Sequence, residues 1–431
     1  MERAVVIGGG MAGMLAAQAA AGRYRHVVVV ERDRLPDTPQ PRRGVPQARQ
    51  LHALLVRGLH AMDELFPGLL HDLRAAGAVP FDAQADVAWY LDSRRLASAP
   101  SDITCFGLSR PLLDHAVHRR VSALAGVEIV QETEVRGLVQ RSGVVTGVRV
   151  GRARDAGRAE REIDADLVID AGGRASRSLN WLEKIGHPRP PQSRVAADVV
   201  YLTRRYRTGS NPPRAVVVPW PGSPRGAAVV HEENQQIALV LFGLLGVDPP
   251  ADDAGMLAYA EMLGSDEIVS LVRDGVPVGE PVKMRYPASV RQHPERSAAP
   301  PPGFLLLGDA LASFNPTYGQ GITTAALQAR LLQNLLADGA DRLPERFYPL
   351  AAKIINDAWE ASTGSDLRFP EVEGPRSPLS GLVNRYLDRF RAAAAMDPRL
   401  ARDFLRVSNM LAPAHSLLSP KQAFRVLTTK S

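Results

Sequence analysis

The sequence predicts an α/β protein: a Rossmann-like domain with a β-meander crossover, a separate antiparallel-sheet substrate domain, and a helical C-terminal segment. Three observations carry this. Val5, Val6 and Ile7 run into Gly8-Gly9-Gly10-Met11-Ala12-Gly13, an Ala-rich stretch follows, and the apolar run 27–30 ends on Glu31. Alternating runs at 134–141 and 144–150 stand where a plain doubly wound fold would place a helix. From about 185 the pattern becomes β-rich, and from 345 it becomes helical with Pro-broken joints.

The first 31 residues read as β-α-β, with the helix over 14–21. Gly8 permits the tight turn, Gly10 lets backbone approach a pyrophosphate, and Gly13 lets the helix pack close on the strand. The helix N-terminus then faces the phosphates. Glu31 lies 18 residues after Gly13, where a carboxylate takes both ribose hydroxyls of an unphosphorylated adenosine. The candidates on this side are Gly8, Gly10, Met11, Ala12, Gly13, Glu31 and Arg32. A signal peptide is rejected, because there is no basic n-region and glycines break the apolar run.

Residues 32–50 form a basic, Pro-rich loop. Apolar positions 51, 54, 55, 59, 62, 65 and 66 predict a helix from Leu51, stopped by Pro67-Gly68. Short strands fill 78–106, a helix led by Ser109-Arg110 covers 111–124, and Val127–Val130 is a third parallel strand. The runs 134–141 and 144–150 make a hairpin on Ser142-Gly143, and 162–170 is one further strand. Strands are expected at 196–207, 214–220, 226–231 and 236–242, whose apolar positions Val199, Tyr201, Val217, Val229, Leu239 and Leu241 are candidates for a pocket wall. A helix over 252–272, a Pro-rich linker over 293–303, a strand over 304–307 and a long helix over 321–337 complete the pattern. The expected cofactor domain is therefore 1–77, 107–184 and 293–340; substrate-domain segments are 78–106 and 185–292; the helical segment is 341–431.

Composition sets limits. No stretch approaches ~18 uninterrupted apolar residues, so no transmembrane segment is expected. Cys105 is the only cysteine, which rules out an internal disulfide and a cysteine-based metal site and suits a cytoplasmic protein. The net charge of +6 comes from 52 basic residues scattered among 46 acids, without the basic runs that nucleic-acid binding uses.

A second ligand edge lies far along the chain. The strand 304–307 ends in Gly308-Asp309, and Asn315-Pro316-Thr317-Tyr318-Gly319-Gln320-Gly321-Ile322-Thr323 opens the long helix. One cofactor long enough to lie across both edges is FAD. Asp309 would accept a hydrogen bond from a ribityl hydroxyl. Backbone N–H groups of Gly319, Gln320, Gly321 and Ile322 would face the flavin N1–C2=O edge, where the helix N-terminus favours negative charge. Pro316, Gly319 and Gly321 would act on the ring through backbone alone.

These stations, with Leu167-Val168-Ile169-Asp170-Ala171-Gly172-Gly173-Arg174-Ala175-Ser176-Arg177, resemble the flavin-dependent monooxygenases built on the p-hydroxybenzoate hydroxylase fold. Arg42-Arg43-Gly44-Val45-Pro46-Gln47, His52, the Phe314–Gly321 string and Trp359 with Thr363-Gly364-Ser365-Asp366-Leu367 resemble bacterial polyketide and polyether polyene epoxidases more narrowly. The resemblance implies further FAD contacts: Arg42 or Arg43 from the loop, Arg110 on the pyrophosphate side, and Val135 beside the adenine. It places Gln47 and His52 near the flavin, with no catalytic role for His52. It also implies O2 activation as a flavin C4a-hydroperoxide and oxygen transfer to a lipophilic substrate by epoxidation or hydroxylation. The chain departs from the pattern at Gly172-Gly173, where aromatic hydroxylases carry an Asp-Gly pair, and at Gln50, where the narrower group often has His.

No second GxGxxG follows a strand, so NAD(P)H has no Rossmann domain of its own and is expected as a transient reductant, or reduced flavin comes from a partner reductase. A halogenase is disfavoured because the paired-Trp motif is missing (Trp89, Trp181, Trp220 and Trp359 are isolated) and the first lysine is Lys184. A reductase of isoprenoid double bonds and a non-catalytic FAD scaffold remain as rivals. The tail is expected to pack over the cofactor domain or roof the pocket. Its apolar spacing at Leu382, Val383, Tyr386, Leu387 and Phe390 also fits a dimer or lipid-surface helix.

Overall fold

The computed structural model describes residues 1–153, 160–209, 212–219 and 222–429. Its centre is a five-stranded sheet in the order Phe304–Leu306, Leu167–Asp170, Arg3–Ile7, His26–Val30, Val127–Val130. Every pairing in it is parallel, with Val5 opposite both Val168 and Val28. Continuous Val, Ile and Leu runs suit strands buried on both faces. Helices Met11–Ala21 and Gln320–Ala337 pack on each other beside this sheet. The two strongest ligand signals of the sequence therefore meet at one sheet edge.

The close approach that the glycine turn implies is real. A methyl group on Gly13 would lie 1.8 Å from the Gly8 carbonyl oxygen. The helix starts at Met11, three residues before the expected 14, with Gly10 as its N-cap. The meander is Thr133–Arg141 against Val144–Arg152, turning on Ser142 and Gly143 with φ of 50° and 79°. Two left-handed residues are what a two-residue hairpin loop needs. The expected single strand over 162–170 is two strands, Arg161–Asp164 in the meander and Leu167–Asp170 in the parallel sheet. The chain switches sheets at Asp166, whose Oδ2 accepts from the Glu2 and Arg3 N–H groups.

A second sheet of seven strands runs Val276–Tyr286, Val199–Arg207, Ile237–Gly243, Arg225–His231, Ala215–Val218, Val87–Leu91, Arg94–Arg95. Val87–Leu91 joins it in parallel with Ala215–Val218, so the early excursion from the first domain contributes strands here. Trp220, at the end of the expected strand 214–220, lies outside the described residues. The eleven-residue strand Val276–Tyr286 was not expected. Pro277 and Pro281 disguise it, and they are tolerated because it is an edge strand. The expected helix over 252–272 is two helices, Asp253–Glu261 and Asp266–Asp274, broken at Gly264 with φ +67°.

The helix expected from Leu51 begins at Val56. Residues 51–55 stay out of the helix because the second sheet claims them: Leu51 N–H donates to Thr203 Oγ1 at 3.2 Å. A further helix, Leu69–Ala75, follows Pro67-Gly68. The tail forms helices Leu343–Asp366, Ser380–Ala394, Pro398–Ser408 and Pro420–Thr428. No helix among the described residues is long and apolar enough to cross a membrane.

Candidate active site

One continuous cavity of about 1210 Å³ runs from the glycine turn at Gly8 to Gly319, and on between the second sheet and the tail helices. A single drug-sized ligand occupies roughly 300–1,000 Å³. The space therefore exceeds what one such ligand needs. Of the sequence-derived candidates, Gly8, Gly10, Met11, Ala12, Glu31, Arg32, Arg42, Arg110, Val135, Asp309, Pro316, Gly319, Gln320, Gly321 and Ile322 all line it. Gly13 does not, since it sits in the helix–strand contact. Arg43 does not either: it is exposed, and its neighbour Arg42 is the one that turns inward.

At the first end the Gly9 peptide is held from both sides. Its N–H donates to Glu31 Oε2 at 2.7 Å, while its carbonyl accepts from Arg42 Nη2 at 2.7 Å and from His118 Nε2 at 3.1 Å. Burial lowers the His118 pKa, which favours the neutral ring that makes this single donation. Glu31 also pairs with Arg42 Nη1 at 2.9 Å and accepts from Asp33 N–H at 2.8 Å. Glu31 thus fixes the turn as well as facing the cavity. His118 was not foreseen, because a histidine on a helix far along the chain carries no local signal for this contact.

Arg110 enters from its helix, where Ser109 caps the N-terminus by accepting from Leu112 N–H. Its Nε donates to Asp114 Oδ1 at 2.6 Å, and its Nη1 lies 3.4 Å from His52 Nε2. His52 Nδ1 faces the Gln50 carbonyl at 3.0 Å, so Nδ1 carries the proton and Nε2 accepts. Burial and the Arg110 charge push the His52 pKa down to about 4. A ring that is neutral, with both nitrogens engaged, is a structural element.

At the second end Asp309 makes no hydrogen bond to the protein among the described residues, although it lines the cavity. Burial raises its pKa, opposed by the charges of Arg174 and Arg110. Gln320 Oε1 is also buried without a partner. A methyl on Gly10 or Gly173 would meet open space, and one on Gly321 would lie 3.7 Å from Asp309 Oδ1. Unspent acceptors at one end, cations and a helix N-terminus at the other, and side-chain-free floor between them fit an elongated diphosphate carrying hydroxyl groups.

The loop leading into the Gln320–Ala337 helix is clamped from behind. Asn315 Nδ2 and Tyr318 OH both donate to Asp366 Oδ1, at 3.0 and 2.8 Å, while Asp366 Oδ2 has no partner. Burial pushes the Asp366 carboxyl up to about 7 against those two donors. Behind the loop, Phe314 meets Trp359 edge-on with centroids 6.3 Å apart. Asn315, Tyr318, Trp359 and Asp366 all stood in strings that carried the family resemblance; their mutual contact is visible only in three dimensions. Gln50, at the other departure from the pattern, cross-links its loop to the second sheet through Thr203 Oγ1 at 2.7 Å and the Val282 carbonyl at 3.0 Å. Gly172 is crowded: a methyl there would lie 3.0 Å from Asp170 Oδ1, which holds the Gly172 N–H at 2.8 Å.

Of the six residues expected in the pocket wall, two face the cavity. Tyr201 and Val217 line the cavity, but Val199, Val229, Leu239 and Leu241 do not. Val229, Leu239 and Leu241 pack with Met256, Ile268 and Leu271 of the two covering helices, and Val199 packs in a separate core cluster. The cavity receives the opposite pleat: Ala228, Val230, Val240 and Phe242. Both faces are covered, so hydrophobic alternation did not distinguish them.

Residues 2–237 match the model of the FAD binding domain family, more than half of the chain. The chain belongs to that family. Protein Rv3254 of Mycobacterium tuberculosis is similar to this FAD-binding chain, 33% identical over 427 residues that cover 95% of this chain and 90% of its own. A digeranylgeranylglycerophospholipid reductase of Methanothrix thermoacetophila is 25% identical over 346 residues, covering 78% and 77%. The flavin-dependent brominase Bmp2 has the same fold, with a TM-score of 0.69 at 14% identity and coverage of 99% and 98%. So does PqsL, a probable FAD-dependent monooxygenase from Pseudomonas aeruginosa, at 0.61, 17%, and coverage of 85% and 97%. The fold is that of the p-hydroxybenzoate hydroxylase type, shared with these solved flavoproteins, and the chain carries the FAD binding domain.

Proposed function

We propose that the protein is an FAD-dependent monooxygenase that inserts one oxygen atom of O2 into a lipophilic polyketide- or terpenoid-like substrate, by epoxidation or hydroxylation. One observation carries the reading. Beyond the Pro316–Tyr318 turn the cavity wall is dominated by Phe81, Val87, Trp89, Leu91, Phe106, Val230, Val240, Phe242, Met284, Leu387 and Phe390.

Bound FAD, once reduced, supplies the O2-activating centre. The chain grips it with Gly8, Gly10, Met11 and Ala12 at the pyrophosphate, Glu31 and Arg32 at the adenosine ribose, and Val135 at the adenine. Arg42 and Arg110 balance the phosphate charge, and Asp309 accepts from a ribityl hydroxyl. Backbone N–H groups of Gln320, Gly321 and Ile322, at the positive end of their helix, would stabilise negative charge on the ring, whereas the Gly319 N–H is spent on the Pro316 carbonyl at 3.0 Å. The apolar wall excludes water and holds a carbon–carbon double bond within attack distance. Oxygen transfer to such a bond asks for little acid–base help, in keeping with a neutral His52 and a Cys105 thiol that burial pushes up to about 12. NAD(P)H visiting transiently, or reduced flavin from a separate reductase, completes the cycle.

No lysine lines the cavity among the described residues, which speaks against halogenation. The similarity to an archaeal lipid reductase favours a second reading, saturation of isoprenoid double bonds. Labelled oxygen separates the two. Reduced protein mixed with a lipophilic polyene and ¹⁸O2 is expected to give product with one labelled oxygen. Saturation of the polyene by the reduced protein under strict anaerobiosis would establish the reductase reading instead.

A further inference from the structure

The apolar cavity has a lip, and the lip is where the molecule shows its greasiest surface. Leu379 and Leu418 both line the cavity and are exposed to solvent. The Tyr386 hydroxyl ties the two sides of this lip by donating to the Leu417 carbonyl at 2.8 Å. Around it stand Leu382, exposed to 62%, and Phe424 and Leu427, exposed to 71% and 61%. Five of the eleven large hydrophobic side chains exposed among the described residues, Leu379, Leu382, Leu418, Phe424 and Leu427, belong to the helices Ser380–Ala394 and Pro420–Thr428 and the turns beside them. Scattered single exposures are ordinary; a concentration around a cavity mouth marks an interaction site.

The helical spacing is consistent with that. In Ser380–Ala394, Leu382, Arg385 and Arg389 recur at helical intervals on the side away from buried Phe390 and Ala394. In Pro420–Thr428, Lys421, Phe424 and Leu427 lie on the side away from buried Val426, and this helix packs on both Ser380–Ala394 and the turn that carries Leu418. The charge is one-sided. Between 376 and 429 there are nine Arg and Lys against three Asp and no Glu, which equals the +6 of the whole chain and leaves the remainder neutral. Arg385, Arg389 and Lys421 are exposed and have no carboxylate partner among the described residues.

We propose that the face formed by the helices Ser380–Ala394 and Pro420–Thr428 docks on an anionic phospholipid bilayer, with the Leu379–Leu418 lip against the acyl boundary. Apolar side chains ringed by cations are the signature of a helix that lies in such an interface. The proposal rests on the lipophilic-substrate reading: a substrate dissolved in the bilayer enters the cavity sideways, without crossing water.

Flotation of the FAD-loaded full chain with vesicles tests it. The protein is expected to float with phosphatidylcholine vesicles containing phosphatidylglycerol and to stay behind with pure phosphatidylcholine. Phe424→Ser with Leu427→Ser, and separately Arg385→Glu with Arg389→Glu, should each weaken binding about thirtyfold or more. Absence of flotation, or equal flotation of wild type and both variants, overturns the proposal. So does a dimer in sedimentation that the Phe424→Ser, Leu427→Ser variant abolishes without vesicle binding by the wild type, since the face would then be covered by a second copy. Oxygenation of a detergent-dispersed polyene is assayed apart. Vesicle binding without turnover leaves the surface and removes the oxygenase reading; turnover without vesicle binding does the reverse.

Discussion

Asp309 and Asp366 stand on either side of the same loop and spend their charge differently. Asp309 keeps its acceptors unspent, so its replacement should cost the cofactor more than the fold. Asp309→Ala is expected to weaken FAD retention by roughly 1.5–3 kcal/mol, the range for a hydrogen bond to a charged group. Flavin absorbance per protein after gel filtration reads this out, and undiminished occupancy would remove Asp309 from the site. Asp366 is buried, and its folded pKa of about 7 lies above the ordinary 3.8. Between those values the folded state keeps a proton that the unfolded state releases. Its stabilising contribution is therefore present below about pH 4 and lost as the pH rises through 7. Each unit of that shift is worth about 1.4 kcal/mol. Asp366→Asn should flatten the fall in urea stability between those limits; an unchanged slope would acquit the residue.

At the level of elements, the decisive contact is one glycine against one carbonyl. Gly13→Ala forces a methyl to within 1.8 Å of the Gly8 oxygen, and the obstacle is backbone that cannot swing away. A loss of about 3 kcal/mol or more is expected, visible as a lower thermal midpoint and lower flavin content together. The Gly8–Gly13 turn was legible from sequence because its requirements are local. So were the parallel strands, four of which have apolar runs buried on both faces, and the meander turn at Ser142-Gly143. The rest was hidden by contacts distant in sequence. Residues 51–55 match a helical period, but the Leu51 N–H at their start is given to Thr203. Val276–Tyr286 hides behind prolines that only an edge position permits. The strands Arg225–His231 and Ile237–Gly243 are apolar on both pleats, so the cavity-facing pleat depended on where two later helices pack. For the site, the backbone stations and Asp309 could be read directly, whereas the clamps by His118 and Asp366 could not.

For the molecule as a whole, FAD is expected to act as mortar. A ligand held only by the folded state stabilises it by roughly 4 kcal/mol at a thousandfold excess over its dissociation constant. Stripping FAD should therefore lower the thermal midpoint, and adding it back should raise that midpoint in proportion to the logarithm of its concentration. A midpoint indifferent to FAD would mean the two ends do not share one ligand. The tail matters to the same whole, because Phe390 is fully buried among Leu400 and Leu405 while also lining the cavity. Phe390→Ala should cost about 3–5 kcal/mol and loosen the substrate space at once, measurable as a lower urea midpoint.

The middle position of Arg3–Ile7 in its sheet carries a consequence for biosynthesis. Its neighbour His26–Val30 emerges from the ribosome at once, but Leu167–Asp170 and Phe304–Leu306 are translated much later. Until Phe304–Leu306 appears, Leu167–Asp170 offers a naked edge to any passing strand. Nascent chains released before residue 304 should precipitate or need a chaperone. Chains released after the Gln320–Ala337 helix has been made should not.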